Sequence, residues 1–225
     1  MHYLLVASLL VILILSFVVY QQHGKIENLK NDLSHDPLTG LKIMRNFEKK
    51  CLTVMSHVEK KREMSALASE EEHVSRRRKH SHSVAFVDMD GLQWTNNHPE
   101  FGYVIGDRIL VALANILNRW RRSDDLVVRR SKGGDEFLLL FPESSKTESE
   151  RVLLENRKRF EKVIETRFPG LAGKVSFSFG VREIDLSFTE TQIAEAFENA
   201  SKDMHDWKDL RKMDRKVSCL SGEEL

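Results

Sequence analysis

Apolar and polar positions divide the chain into a head, a stalk and a body. Residues 3–20 (YLLVASLLVILILSFVVY) form one uninterrupted, mostly apolar run. As a helix rising about 1.5 Å per residue it crosses most of a bilayer core of roughly 30 Å, which predicts a transmembrane anchor over 1–22. No basic stretch precedes the run and no small-x-small cleavage pattern follows in SFVVYQQHGK, unlike a cleaved secretory peptide. Ile26, Leu29 and Leu33 then recur at helical spacing, predicting a helical stalk over 23–35 that either pairs with a second copy or packs on its own domain. The stalk stops at His35-Asp36-Pro37, because a residue before proline is pushed out of the helical region, and Thr39-Gly40 makes a turn.

The body, 36–220, alternates between the two periodicities. Helices are predicted over 47–61, 105–120, 147–166 and 189–212, and strands over 84–87, 126–128, 137–141 and 175–181, with a short last strand over 216–220 before a tail at 221–225. The clearest strand has Val175, Phe177, Phe179 and Val181 alternating with Ser176, Ser178 and Gly180. Residues 129–136 contain the glycines a hairpin needs between two apolar strands. Residues 62–83 are charge-dense without an apolar period and read as a charged insertion; its basic run, 76–79, reads as a solvated helix end or loop. Strands interleaved with helices predict an α/β fold, a mixed central sheet flanked by helices and preceded by one transmembrane helix.

Composition sharpens this division. The chain is 41% hydrophobic and 31% charged, yet its first twenty residues contain no Lys, Arg, Asp or Glu. A formal net charge of +1 excludes the sustained positive field that nonspecific binding of a nucleic-acid polymer requires. Cys51 and Cys219 match neither a disulfide framework nor a zinc spacing, and a reducing compartment is the simplest reading.

Candidate chemistry gathers at two acidic turns, Asp88-Met89-Asp90 after one strand and Asp135-Glu136 inside the hairpin. Carboxylate oxygens suit a hard divalent cation, and magnesium commonly bridges such groups to substrate phosphates. Either pair alone also fits a capped helix start or a solvated turn. Gly133 and Gly134 beside the second pair change the balance, since they let a phosphate or base approach the backbone. Lys208 and Lys212, four apart on a helix, offer charge for a triphosphate tail.

These residues resemble the GGDEF domain, the catalytic domain of diguanylate cyclases. Gly133-Gly134-Asp135-Glu136-Phe137 spells the signature. Asp36-Pro37-Leu38-Thr39-Gly40-Leu41, then Asp88-Met89-Asp90 with Asn96, Gly102 and Gly106-Asp107, then 175–181, and finally Lys208 follow the family's other motifs in order. The resemblance covers about residues 34–217 and implies a nucleotidyl-cyclase-like palm. It implies condensation of two GTP into cyclic di-GMP with release of two pyrophosphates, carried out by a homodimer whose domains face each other. By position, Asp88, Asp135 and the Met89 carbonyl would hold Mg2+ (or Mn2+), and Asp135 or Glu136 would assist deprotonation of the attacking hydroxyl. Asn96 and Asp107 would read guanine, with Tyr103 in place of the usual histidine. Gly133 and Gly134 would line the nucleotide, and Lys208 and Lys212 would hold its outer phosphates. Arg122 and Asp125 resemble the RxxD inhibitory site at which cyclic di-GMP binds. GTP being cytosolic, the resemblance further implies a single-pass protein of the bacterial inner membrane with its catalytic domain in the cytoplasm.

The chain also departs from the family. Leu92-Gln93 stands where Phe-Lys is usual, which removes a cation, and His98-Pro99 lengthens the guanine-site segment. In a hairpin two residues longer, Arg130-Ser131-Lys132 replaces a single residue, making Lys132 a candidate substitute for the absent charge. These departures define an alternative expectation, a degenerate GGDEF module that binds GTP or cyclic di-GMP and acts through interaction.

Overall fold

A computed structural model describes residues 35–43, 47–68, 81–184 and 188–221, together with scattered positions between 13 and 22. Its centre is a five-stranded sheet: β1 (Lys42–Ile43), β2 (His82–Asp90), β3 (Leu126–Arg129), β4 (Glu136–Phe141) and β5 (Ser176–Ile184), in the order β1-β3-β4-β2-β5. β1 runs parallel to β3 and the other neighbours are antiparallel, the mixed sheet that the interleaved pattern predicts. Helices α1 (Phe47–Ala68), α2 (Leu92–Asn97), α3 (Gly102–Arg119), α4 (Lys146–Arg167) and α5 (Glu190–Ser221) cover it.

Alternation along β2 sorts its side chains between two cores. Ala85, Val87 and Met89 join Phe137, Leu139 and Phe177 beneath α3 and α4, where Ile109, Leu113, Leu117, Leu153 and Phe160 complete a buried layer. Val84 and Phe86 face the opposite side, against Phe47, Cys51 and Met55 of α1 and Ile193, Phe197, Ala200 and Met204 of α5. The same period places Asp88 and Asp90 on the face that α5 covers. α5 approaches closely at Gly180 of β5, where an added Cβ would lie 2.0 Å from the Ala200 carbonyl oxygen.

Several boundaries differ from expectation. α1 runs on to Ala68, well into the segment expected to be a charged insertion, because Arg62, Glu63 and Met64 are strong helix formers and need no apolar face to stay helical at the end of a helix already anchored in the core. β2 begins two residues early and continues through Asp90, so its acidic residues end a strand and the turn falls at Gly91. The short α2 was not anticipated. The expected last strand at 216–220 is helical: α5 continues unbroken to Ser221, and no glycine or proline interrupts it. The stalk, the tail beyond 221 and most of the apolar run at 3–20 lie outside the described residues. Within that run Leu13, Leu15, Phe17 and Tyr20 are helical and exposed, and among the described residues no helix is long and apolar enough to cross a membrane.

Candidate active site

Adjacent strand ends bring the two acidic motifs together. Asp88 of β2 pairs in register with Glu136 of β4 and with Ser178 of β5, and the Met89 amide donates to the Asp135 carbonyl at 3.3 Å. Asp88, Met89, Asp90 and Asp135 line one cavity of about 450 Å³, with Gly91, Gln93, Trp94, Lys174 and Lys208 on its other walls. A larger cavity, about 560 Å³, lies between α4, β5 and α5 and holds none of the predicted residues.

Lys208 reaches the acidic cavity from α5, two helical turns beyond the Ala200 contact. Its Nζ donates to Asp88 Oδ2 at 2.6 Å and lies 3.2 Å from Asp90 Oδ1, while the Ser178 hydroxyl donates to the other Asp90 oxygen at 2.8 Å. Burial, aided by the neighbouring Asp135 and Asp90 carboxylates, pushes the Asp88 carboxyl above its ordinary pKa despite Lys208. Burial opposes the charge on Lys208 too, but the hydrogen bond and attraction from Asp88, with Asp90 behind it, hold its pKa above the usual lysine value.

The donor set fits a hard cation. Among the described residues no three His, Cys, Asp or Glu side chains form a ready-made cage. Of the three carboxylates on the cavity wall, Asp90 is held by the Ser178 hydroxyl and the Lys208 ammonium, which also meets Asp88, so Asp88, Asp135 and the Met89 carbonyl are the oxygens that remain for a cation. Few protein oxygens with room for water and phosphate is the arrangement magnesium favours over calcium.

The hairpin is held from below. Arg129 is 2% exposed; its Nε donates to the Gly134 carbonyl at 2.8 Å and its Nη1 to Asp36 Oδ2 at 2.5 Å. Gly133 turns the chain at φ +82°, a conformation side chains disfavour. Glu136 points elsewhere than Asp135: its Oε2 accepts from Arg130 at 2.9 Å, and it does not line the cavity. Lys132 is exposed on the hairpin and is likewise absent from the lining, so the expected substitute cation is not at the site.

Asn96 and Asp107 sit on neighbouring helices. The Asn96 carboxamide presses against Gly106, where a Cβ would come within 1.9 Å of Oδ1, and that oxygen is buried with no hydrogen-bond partner. An unsatisfied buried acceptor fits a polar ligand edge. Asp107 and Tyr103 are exposed on the first turns of α3, Tyr103 by 70%. The extra His98-Pro99 is absorbed by a turn in which the Phe101 and Gly102 amides donate to the His98 carbonyl, and the His98 ring packs at a tilt against both Trp94 and Phe101. Arg122 and Asp125 lie on the turn between α3 and β3. The Arg122 amide donates to Asp125 Oδ2 at 2.8 Å, the Arg122 side chain is exposed, and Asp125 Oδ1 is buried without a partner. Lys212 belongs to α5, but its side chain lies outside the described residues.

The chain matches the family described as diguanylate cyclase, GGDEF domain, over residues 64–214. It belongs to the GGDEF family. The GGDEF domain is 31% identical over 124 residues to the diguanylate cyclase DgcM of Escherichia coli K12, 55% of this chain and 25% of that protein. It is 27% identical over 186 residues to the diguanylate cyclase DgcP of Pseudomonas aeruginosa, 81% of this chain and 24% of the relative. The chain thus spans about a quarter of the length of these curated relatives. Among solved structures, the diguanylate cyclase SiaD of Pseudomonas aeruginosa in complex with its activator SiaC aligns with a TM-score of 0.55 at 27% identity, covering 84% of this chain and 65% of that one. The coiled coil and GGDEF domain of DgcB from Caulobacter crescentus, in complex with c-di-GMP, aligns at 0.61 with 18% identity, over 86% and 90% of the two chains, a likeness of fold.

Sequence reasoning named Asp90 within the acidic turn but gave it no role, and it missed Ser178 and Lys174 as site residues; for Ser178 the alternating strand offered a signal, and for Lys174 none did. It overlooked Arg129 as the support beneath the signature, because Asp36 lies 93 positions away.

Proposed function

We propose that this GGDEF domain is a diguanylate cyclase, condensing two GTP into cyclic di-GMP and two pyrophosphates as a pair of facing domains. The observation that carries the reading is the meeting of Asp88 and Asp135 on adjoining strand ends, with the Lys208 ammonium against Asp88. Asp88, Asp135 and the Met89 carbonyl would hold Mg2+ (or Mn2+), which when bound lowers the pKa of the attacking hydroxyl and neutralises charge on phosphoryl oxygens. Asp135 lines the cavity and is the better placed carboxylate to accept the ribose 3′-hydroxyl proton, since Glu136 is engaged by Arg130. Asn96 and Asp107 would orient guanine through its N–H groups, and Lys208, with Lys212 further along α5, would steady the outer phosphates. Each domain holds one GTP, so the hydroxyl of one nucleotide attacks the α-phosphorus of the other only when two domains pair. Arg122 and Asp125 would form a product site at which cyclic di-GMP restrains turnover.

The apolar run at 3–20 would anchor the protein in the bacterial inner membrane with the domain in the cytoplasm, where GTP is. A second reading, a GGDEF module that binds nucleotide with little turnover, is favoured by Gln93, a neutral side chain on the cavity wall. Incubating the protein with GTP and magnesium while following pyrophosphate and nucleotide products separates the two. Cyclic di-GMP formation that disappears in Asp135→Ala supports the cyclase, whereas GTP binding without product supports the module.

A further inference from the structure

Of the two cations on the wall of the acidic cavity, Lys208 is committed to Asp88 and Asp90, and Lys174 to no carboxylate. Among the described residues Lys174 has no ion-pair partner; its Nζ lies 4.8 Å from the centre of the Trp94 ring, on the face of an indole that is itself 41% exposed. Lys174 and Trp94 line the cavity together with Asp88, Asp90 and Asp135, and Gln93, beside Trp94, contributes no charge.

The backbone holds Lys174 firmly. It follows the short 3-10 turn Pro169–Leu171, its amide donates to the Leu171 carbonyl at 3.0 Å, and Val175 donates to the same oxygen at 3.3 Å. Its own carbonyl rests against Gly91, the residue after Asp90. A Cβ on Gly91, already at φ +84°, would lie 2.4 Å from that oxygen. The lysine and the acidic strand end are therefore registered by main-chain contact, and only the side chain is free to move.

We propose that Lys174 is a phosphate-binding residue of this site, its ammonium leaving the Trp94 face to contact a phosphoryl oxygen of the bound nucleoside triphosphate. An exposed cation–π contact is weaker than a charge-assisted hydrogen bond to phosphate, so the exchange is favourable once the anion arrives. The cavity supplies the reason for a second cation. Three carboxylates line the cavity, Lys208 is already shared between two of them, and a triphosphate adds further negative charge. Lys174 thereby takes the place expected of Lys132. The inference rests on the nucleotide-binding reading given above and goes beyond it by assigning a residue that the family motifs do not contain.

The test compares the full chain with Lys174→Ala and Lys174→Arg by calorimetric titration with GTP, GMP and guanosine. Expected is a loss of GTP affinity of roughly 10- to 100-fold in Lys174→Ala, a smaller loss for GMP, no change for guanosine, and substantial recovery in Lys174→Arg. Equal GTP affinity in the wild type and Lys174→Ala overturns the inference alone, as does a matching loss for guanosine, which would mark a structural role. Absence of GTP binding in the wild type overturns the nucleotide-binding reading itself and the inference with it. Because Lys174 is exposed, unchanged thermal unfolding is the accompanying control.

Discussion

Two cation–carboxylate pairs lie on opposite sides of the signature hairpin, and their environments drive the carboxylates in opposite directions. Arg129 and Asp36 are 2% and 3% exposed in their side chains, whereas Lys208 and Asp88 are 16% and 14% exposed. Burial pushes against ionisation of Asp36, but the Thr39 hydroxyl, the Thr39 amide and Arg129 all donate to it, so its pKa lies below the ordinary value. Among the described residues Asp88 has one side-chain donor, Lys208, and two acidic neighbours, and burial raises its pKa. A carboxylate surrounded by fixed donors serves the fold. One left short of positive charge is ready to receive it from a ligand.

Breaking the first pair should cost most. Arg129→Met leaves Asp36 buried without its cation and strips the Gly134 carbonyl of its donor, an expected loss of about 3–5 kcal/mol, read as a fall in the denaturation midpoint. Moving the second pair costs less: Gly180→Ala drives a methyl group against the Ala200 carbonyl, with an expected loss of about 1–3 kcal/mol and weakened GTP binding, while the Arg129 pair is untouched.

Acid should discriminate between the pairs. With its folded pKa below the unfolded value of about 3.9, Asp36 contributes stability that is present above that value and fades as pH falls through the folded one. The raised pKa of Asp88 has the opposite sign, favouring the folded state at low pH. Asp36→Asn is therefore expected to be less stable than the wild type near neutrality and to show a shallower decline on acidification, measured by chemical denaturation at about pH 7 and about pH 3. A decline as steep as the wild type's would show that Asp36 is not what acid attacks. The smallest change in stability belongs to Lys208→Ala, about 1 kcal/mol or less at this partly exposed pair, but GTP affinity should drop at least about tenfold; the reverse pattern would move Lys208 from the ligand to the fold.

What could be read in the chain followed from local order. Apolar runs marked β2 and β4, alternation marked β5, and Gly133-Gly134 marked the hairpin, all properties of a few consecutive residues. α2 was invisible because six residues are too short to display a helical period. The end of α5 reads as a strand in isolation because 216–220 is brief and roughly alternates, whereas the unbroken helix before it decides its conformation. In the site, the acids and glycines were legible as motifs. Asp90 with Ser178, Lys174 with Gly91, and Arg129 with Asp36 depend on strand register and loop packing, which adjacency in sequence does not encode.

The contact at Gly180 makes α5 a lever. Lys208 lies eight residues past Ala200, about 12 Å along the axis, so tilting the helix by about 5° on that fulcrum displaces position 208 by about 1 Å. Against a contact of 2.6 Å, such a displacement takes the pair from a short hydrogen bond to a looser ion pair unless the lysine side chain follows. The helix extends to Ser221, and whatever grips its far end gains mechanical purchase on the charge at Asp88.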